Sequence, residues 1–257
     1  MENSANENIK NKGWHIFENV VDEKLLNELG KDLEESYAIR RPIQEKNGVA
    51  DDMTGNSHHL LADGKSFFEY ISRLYIDAEL KEYFGGNYIL NTFGGNLNLR
   101  SQVTYASRVH RDVRTYTSDI RLLLNILIVV DDFTLDNGAT YLLSGSHLKI
   151  DKPTDEFFYA NADRAVAKRG SIIVWDANVW HAAGSNNTDG RRRGLSLIYS
   201  KPFMKQQFDY CRNIGYDKVA AMPENIQQVL GYKSRTPQTL EEWYQKPANR
   251  FYRPDQE

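Results

Sequence analysis

Two histidines and one aspartate are the residues of this sequence best placed to do chemistry. Val109-His110-Arg111-Asp112 puts a His-x-Asp pair in mid-chain, and His181 follows 69 residues after Asp112. On a β-strand successive side chains alternate faces, so His110 and Asp112 would project together and Arg111 away from them. An imidazole nitrogen beside a carboxylate oxygen, joined by one further imidazole, makes a two-His, one-carboxylate face for a metal. That facial triad leaves coordination positions open and is the arrangement used by non-haem Fe(II) oxygenases. Alone, a His-x-Asp pair more often makes a surface ion pair or a capped turn, so the rest of the chain decides the reading.

The elements that would position these residues are β-rich. From residue 87 onward, short runs at 88–93, 96–105, 108–113, 121–130, 140–143, 164–167, 171–175, 179–182 and 193–200 are separated by turn residues. Short strands at regular spacing argue for a barrel or sandwich. About eight strands is the count of a jelly roll, the architecture shared by cupins. The expected fold is mostly β with flanking helices: a double-stranded β-helix, jelly-roll and cupin-like.

Ahead of that core, residues 1–12 are polar and read as loose, and 14–20 reads as a strand. Leu25, Leu29, Leu33 and Tyr37 recur every four residues on one helix face, with Asp22 placed as the cap. Residues 40–57 lack periodicity and read as loop. Phe67, Ile71, Leu74 and Tyr75 mark a second helix; Asp77 reads as the cap of a third, stopped by Gly85-Gly86. Helices return after residue 202. Pro223 reads as a first helical position, and Thr239-Leu-Glu-Glu242 matches a capping box. One domain is expected over 1–257: a helical region to 86, a jelly-roll core over 87–202 and a helical region from 203.

Composition removes several function classes. A net charge of −3 gives no general attraction to nucleic acid or an anionic membrane, and Arg191-Arg192-Arg193, the tight basic run, is too short to change that. The longest apolar stretch, 122–130, is broken by Asn125 and is far short of a membrane span. The N-terminus has no basic region followed by an apolar run, so no signal peptide is expected. The single cysteine, Cys211, allows no intrachain disulfide and reads as a small buried hydrophobe. The expectation is a cytoplasmic protein with no nucleic-acid or membrane partner; oligomeric state is not legible.

Three further motifs surround the triad. His181 sits in Gly170-Ser-Ile-Ile-Val-Trp-Asp-Ala-Asn-Val-Trp-His181, where a strand and an Asp176-Ala-Asn178 turn precede it. Arg192 lies eleven residues beyond His181, on a strand that carries Gly194, Ser196 and Ile198 on the same face. Between the halves runs Asp136-Asn-Gly-Ala-Thr-Tyr-Leu-Leu-Ser-Gly-Ser-His147, with a tight-turn signal at Asn137-Gly138. Taken jointly, these motifs resemble the phytanoyl-CoA dioxygenase family, which includes ectoine hydroxylase and many biosynthetic oxygenases. The opening Gly13-Trp-His-Ile-Phe-Glu-Asn19, the Leu230-Gly-Tyr232 stretch and Thr239-Leu-Glu-Glu-Trp-Tyr244 are similar to that family's ends.

The resemblance implies Fe(II), 2-oxoglutarate and O2, with iron on His110, Asp112 and His181. It implies Arg192 at the distal carboxylate of 2-oxoglutarate, a task that suits a planar guanidinium. Arg191 and Arg193, on the opposite face, read as solvated or paired. Ser196 is placed to add a hydroxyl. Asn96, Asn98 and Gln102 share a face upstream, and Asn98 is the favoured partner of the C1 carboxylate. The implied activity is hydroxylation of a small molecule with release of succinate and CO2. Desaturation, cyclisation and epimerisation share the same ligands. Related halogenases carry Gly or Ala where this chain has Asp112, which disfavours halogenation.

Alternatives outside that activity are a non-catalytic metal or 2-oxoglutarate sensor, and a cupin-like enzyme without 2-oxoglutarate, against which Arg192 argues. Strand parity would bring Arg114 and Tyr116 into the cavity with His110 and Asp112, so Arg114 is expected at an anionic group of the substrate; pairing with Asp119 is the plainer reading. His58 and His59 lie in a region that often walls the substrate cavity of this family, although loop histidines are more often simply exposed; His59 is taken as the substrate candidate. His147 reads as structural, Trp175 and Trp180 as core. Asn125 must find a hydrogen bond in the pocket or on a neighbouring backbone group.

Overall fold

The computed structural model describes residues 4–101 and 104–256, so Gln102 lies outside the described residues. The chain begins with an ordered element where a loose segment was expected. Helix α1 (Ala5–Lys12) is held by a reciprocal capping box, Glu7 N donating to Ser4 Oγ (3.2 Å) and Ser4 N to Glu7 Oε2 (2.9 Å). It stops at Gly13, whose φ of 95° is left-handed; a Cβ there would lie 2.6 Å from Val179 and 2.7 Å from the His147 ring. The polar start of the chain is thus pinned beside the turn that leads to His181.

Strand β1 (Trp14–Phe17) leads to α2 (Glu23–Lys46), where Asp22 Oδ1 caps Leu25 N at 3.0 Å and Leu25, Leu29 and Leu33 are buried. The helix runs past its expected end and through Pro42. Its polar last turns are anchored outward, by Arg41 Nη1 to Ala50 O (2.6 Å) and Gln44 Nε2 to Asn56 O (2.9 Å). The expected loop therefore ends in an edge strand, β2 (Asn56–His58). Helices α3 (Lys65–Arg73) and α4 (Asp77–Phe84) follow. Asp77 opens α4 rather than capping it, and its carboxylate accepts from Tyr88 OH (2.7 Å) and Lys81 Nζ (2.8 Å).

The β core is β3 (Ile89–Asn98), β4 (Leu123–Val129), β5 (Tyr141–Leu142), β6 (Asp163–Arg164), β7 (Ile172–Asp176), β8 (His181–Ala182) and β9 (Arg192–Ser200), with α5 (Asp155–Asn161) before β6. β3 joins the first two expected strands into one, with a register irregularity between Leu90 and Thr92 in its first part. The expected strand over 108–113 is not formed; His110 makes only an isolated bridge to His181. Four short helices close the chain: α6 (Tyr210–Ile214), α7 (Tyr216–Ala220), α8 (Glu224–Val229) and α9 (Leu240–Trp243). Pro223 sits just before α8, not in its first turn. At α9, Thr239 Oγ1 accepts from Glu242 N, but the Glu242 carboxylate turns back to Gln238 N, one residue beyond the expected box.

The strands form two antiparallel sheets that do not close into a barrel: a six-stranded sheet in the order β1-β7-β4-β9-β3-β2 and a three-stranded one in the order β6-β5-β8. Alternation gives the large sheet two distinct faces. Its outer face, with Phe93, Leu97, Ile126, Val174, Leu195 and Leu197, packs on α2 and α3 in the main core. A Cβ at Gly95 would come within 2.6 Å of Leu33 Cδ1, so the α2 leucine fills the space that glycine leaves. The inner face packs Leu127, Val129, Ile173 and Trp175 against Leu142 of the small sheet and Ala165 just beyond it. Toward β9 and β3 this inner face turns polar, and there the space between the sheets opens. No helix of the described residues is long and apolar enough to cross a membrane.

Candidate metal centre

The one His/Cys/Asp/Glu group found among the described residues with metal-binding spacing is His110, Asp112 and His181, each offering one ligand atom within 4.8 Å of the others. Asp112 spans the two rings: Oδ1 lies 3.7 Å from His110 Nε2, and Oδ2 lies 3.4 Å from His181 Nε2. Each imidazole is oriented the same way. His110 Nδ1 is 2.7 Å from Arg108 O and His181 Nδ1 is 3.0 Å from Val179 O. A backbone carbonyl can only accept, so Nδ1 carries the proton in both rings and the Nε2 lone pair faces Asp112. Burial, partly offset by Asp112, pushes the His181 pKa down to about 4, so that ring is neutral at pH 7 and able to ligate. The donor set fits ferrous iron: two imidazole nitrogens, one carboxylate, and open space on the remaining side.

Of the three candidate ligands, His181 is held by a strand and the other two are not. β8 pairs with β5, and the preceding turn is locked by Asp176, which accepts from Asn178 N (2.8 Å) and from Tyr83 OH (2.7 Å). The His110–Asp112 segment instead hangs on the His110–His181 bridge and on side chains. Asn178 Nδ2 donates to Thr117 Oγ1 (2.8 Å), and Arg111 reaches the carbonyls of the 146–150 loop. Arg111 does point away from His110 and Asp112, as alternation predicts, but side-chain ties impose it.

The triad opens into a cavity of about 590 Å³ lined mainly by polar residues, among them Asn98, Arg114, Asn125, Ser196 and Gln207. Asn98, Ser196 and Arg114 all reach it. Asn98 Nδ2 donates to Gly184 O (3.1 Å), and Ser196 is exposed on its floor. Tyr116 is not part of the lining; its ring packs under Arg111 at 5.3 Å. Arg192 is 4% exposed and is not among the residues that line the cavity; its guanidinium lies 3.9 Å over the Phe133 ring and Nη2 donates to Gly138 O (3.1 Å). Its Nε has no hydrogen-bond partner among the described residues, and no carboxylate is in contact with it. Burial lowers its pKa to about 10, with Asp131 opposing, so it stays charged at pH 7. A buried cation without a contacting anion is costly. Arg191 and Arg193 do turn the other way, onto Glu34 and Asp131.

His59 is turned away from this cavity. It sits at φ 55° and stacks on Phe208 at 4.5 Å, next to Tyr210. His58 lines the cavity instead, with Nε2 3.2 Å from Tyr105 OH. Pairing of β2 with β3 (His58↔Gly94, Asn56↔Asn96) places Asn56 and His58 on the cavity side. Parity could have found His58 had residues 56–58 been read as a strand. Burial, with Arg40 nearby, lowers the His58 pKa. Two other residues acquire positions here. Asn125 and Trp175, cross-strand neighbours, both line the cavity with buried nitrogens that have no partner among the described residues. Trp175 stands edge-on to His181 at 5.2 Å. His147 is structural, its Nε2 3.0 Å from Lys10 O.

Comparisons with known proteins bear on the family and the fold. An uncharacterized Mycobacterium tuberculosis protein, Rv1501, is 37% identical over 152 residues, 59% of this chain and 56% of the relative. The dioxygenase cdmA of Talaromyces verruculosus is 34% identical over 142 residues, 50% of this chain and 46% of that one. The chain thus spans about half the length of the curated relatives it matches. Among solved structures, SnoK, a non-heme alpha-ketoglutarate-dependent carbocyclase from nogalamycin biosynthesis, superposes with a TM-score of 0.59 at 16% identity, covering 78% of this chain and 84% of that one. The related epimerase SnoN gives a TM-score of 0.58 at 16% identity, covering 76% and 79%. The phytanoyl-CoA dioxygenase (PhyH) family model matches residues 9–194, well over half of the sequence, and the chain belongs to that family.

Proposed function

We propose that this protein is a 2-oxoglutarate-dependent non-haem iron dioxygenase that oxidises a small molecule. The observation that carries the reading is the triad: two imidazoles with Nδ1 tied to the backbone and Nε2 turned toward one carboxylate, at the mouth of a polar cavity. His110, Asp112 and His181 would hold Fe(II). With 2-oxoglutarate and O2, that metal supplies an oxidant able to break a C–H bond, and succinate and CO2 are released.

The chain's own residues do the rest. Arg192 is the buried cation that meets the distal carboxylate of 2-oxoglutarate, and its unpartnered Nε and lack of a contacting carboxylate support that role. Ser196, on the same face of β9, offers a hydroxyl, and Asn98, opposite Arg192 in the β3–β9 register, offers an amide to the cosubstrate. Arg114, exposed in the cavity lining, meets an anionic group on the substrate. Hydroxylation is the leading outcome. SnoK and SnoN, a carbocyclase and an epimerase on the same fold, favour ring closure or epimerisation as the second reading.

The test is anaerobic titration with Fe(II) and 2-oxoglutarate, followed by a metabolite screen for succinate release. One iron per chain, and succinate release that depends on a second substrate, are expected. Binding without turnover across the screen would favour a sensor.

A further inference from the structure

Arg111 lies between two of the proposed ligands, yet every contact it makes is on the far side. Nη1 donates to Ile150 O (3.1 Å), and Nη2 donates to Ser146 O (3.0 Å) and to Lys149 O. The guanidinium stacks 4.4 Å from the Trp180 ring and 5.3 Å from the Tyr116 ring. Trp180 directly precedes His181 and is itself fixed at both ends. Its backbone N–H donates to Ser146 Oγ (2.9 Å) and its indole Nε1 to Asp151 O (3.2 Å). One cation therefore touches the segment bearing His110 and Asp112, the residue beside His181, and the 146–151 loop that both lean on.

A surface ion pair does not describe this arrangement. Among the described residues Arg111 makes no salt bridge, and burial lowers its pKa. What it meets are three neutral carbonyls spread along a loop and two aromatic faces. Only a planar, multi-donor cation satisfies both at once. A ligand-bearing segment with no strand needs some other fixture, and none of the remaining ties in this segment joins as many parts of the site.

We infer that Arg111 is a positioning residue for the metal centre, holding His110 and Asp112 at ligating distance from His181 in place of the missing strand. The inference rests on reading the triad as a metal site. It concerns the geometry of the centre, not its substrate.

Co(II), loaded anaerobically into the full chain, is the probe. Wild type is expected to take one Co(II) per chain with a defined d–d spectrum. Arg111→Ala should weaken Co(II) binding by about 10- to 100-fold, the usual cost of removing a group that orients metal ligands, and should alter the spectrum. Added guanidinium ion should restore both. Arg111→Lys should not, because an ammonium cannot stack and fork together. Trp180→Phe, which keeps a ring and loses the Asp151 bond, should shift the spectrum in the same direction as Arg111→Ala. Wild-type affinity and spectrum in Arg111→Ala would overturn the inference. So would an equal loss of melting temperature with and without Co(II) at unchanged affinity, since that marks a purely structural role. If Arg111→Ala fails to fold, wild-type Co(II) affinity in Arg111→Lys overturns it instead. A wild-type chain that takes no Co(II) sinks the metal-site reading itself, a result that the variants alone cannot produce.

Discussion

Along β9, Leu195, Leu197 and Tyr199 project to one side of the six-stranded sheet, and Arg192, Ser196 and Ile198 to the other. The outer side is closed. Its apolar residues interlock with α2 and α3, and its charged residue, Arg193, is matched twice over: to Asp131 through Nε (2.9 Å) and Nη2 (2.7 Å), and to Glu34 through Nη1 (3.3 Å). The inner side leaves Arg192 Nε, Asn125 Nδ2 and Trp175 Nε1 buried and without partners among the described residues. An unpaired buried donor costs about 1–3 kcal/mol, so the inner face carries a penalty at these three side chains, all of them at or beside the cavity. Such a penalty is tolerable where a ligand removes it. If the proposed site is the inner face, substitutions on the two sides of the same strands should separate stability from activity.

The strongest challenge to that division is at the triad. His181→Ala should abolish stoichiometric Fe(II) binding and turnover, with a smaller loss of melting temperature in the metal-free protein, because the buried ring packs on Trp175 and His110 and bonds Val179 O. Metal analysis and a thermal melt on one preparation check both halves. Full activity in this variant would remove the assignment. The outer-face counterpart is Leu33→Ala. Leu33 is fully buried in the core, so the change should cost about 2–5 kcal/mol of stability with iron and 2-oxoglutarate affinities retained in the folded fraction. Chemical denaturation and ligand titration read the two quantities separately.

Arg192 and Arg193 provide the sharpest contrast, since they are adjacent and differ only in the face they occupy. Arg192→Ala should raise the 2-oxoglutarate KM roughly ten- to a hundredfold, equivalent to losing ~1.5–3 kcal/mol of charge-assisted hydrogen bonding, and should leave the fold intact or slightly stabilised. Arg193→Ala should do the reverse, costing about 1–2 kcal/mol of stability with the 2-oxoglutarate KM unchanged. Burial alone would raise the Asp131 pKa, but the hydrogen bonds from Arg193 outweigh it and hold that pKa below the usual carboxylate value. The pair therefore contributes above the ordinary carboxylate pKa and loses its contribution as pH falls through the lowered one, so the stability gap between wild type and Arg193→Ala should close in acid. A larger 2-oxoglutarate defect in Arg193→Ala than in Arg192→Ala would mean that the faces are exchanged.

Parity on β9 was readable because that strand is long and pairs with β4 without a break from 194 to 200. The same logic applied to residues 108–113 gave the right side-chain directions for the wrong reason. No strand forms there, and the fixtures come from residues 146–150 and 178, which no local pattern reveals. Distance in sequence also hid His58. Its orientation depends on β2 pairing with β3 across some forty residues, and the polar stretch that contains it looked like loop. The α1 helix was a different failure: its Ser4-x-x-Glu7 box was legible, but the polar composition around it masked the signal. Asn125 was singled out as a break in an apolar strand, and the break falls where the inner face meets the cavity.

The smallest effect is expected at the cavity mouth, where the inner face meets solvent. Arg114 lines the cavity and is exposed; the alternative pairing with Asp119 is not among the salt bridges of the described residues. An exposed cation is screened by water and salt, so its contact with an anionic substrate group should contribute only ~0.2–1 kcal/mol. Arg114→Gln should therefore raise the KM for the oxidised substrate no more than about fivefold, with kcat and the 2-oxoglutarate KM nearly unchanged, the signature of lost uniform binding. The difference should shrink as salt is added, which a change in cavity shape would not produce. Once the metabolite screen supplies a substrate, initial rates of succinate release at two ionic strengths decide the point. Equal KM values for wild type and Arg114→Gln at low salt, or an uncharged substrate, would confine recognition to the buried floor and leave the mouth with no part in selecting the substrate.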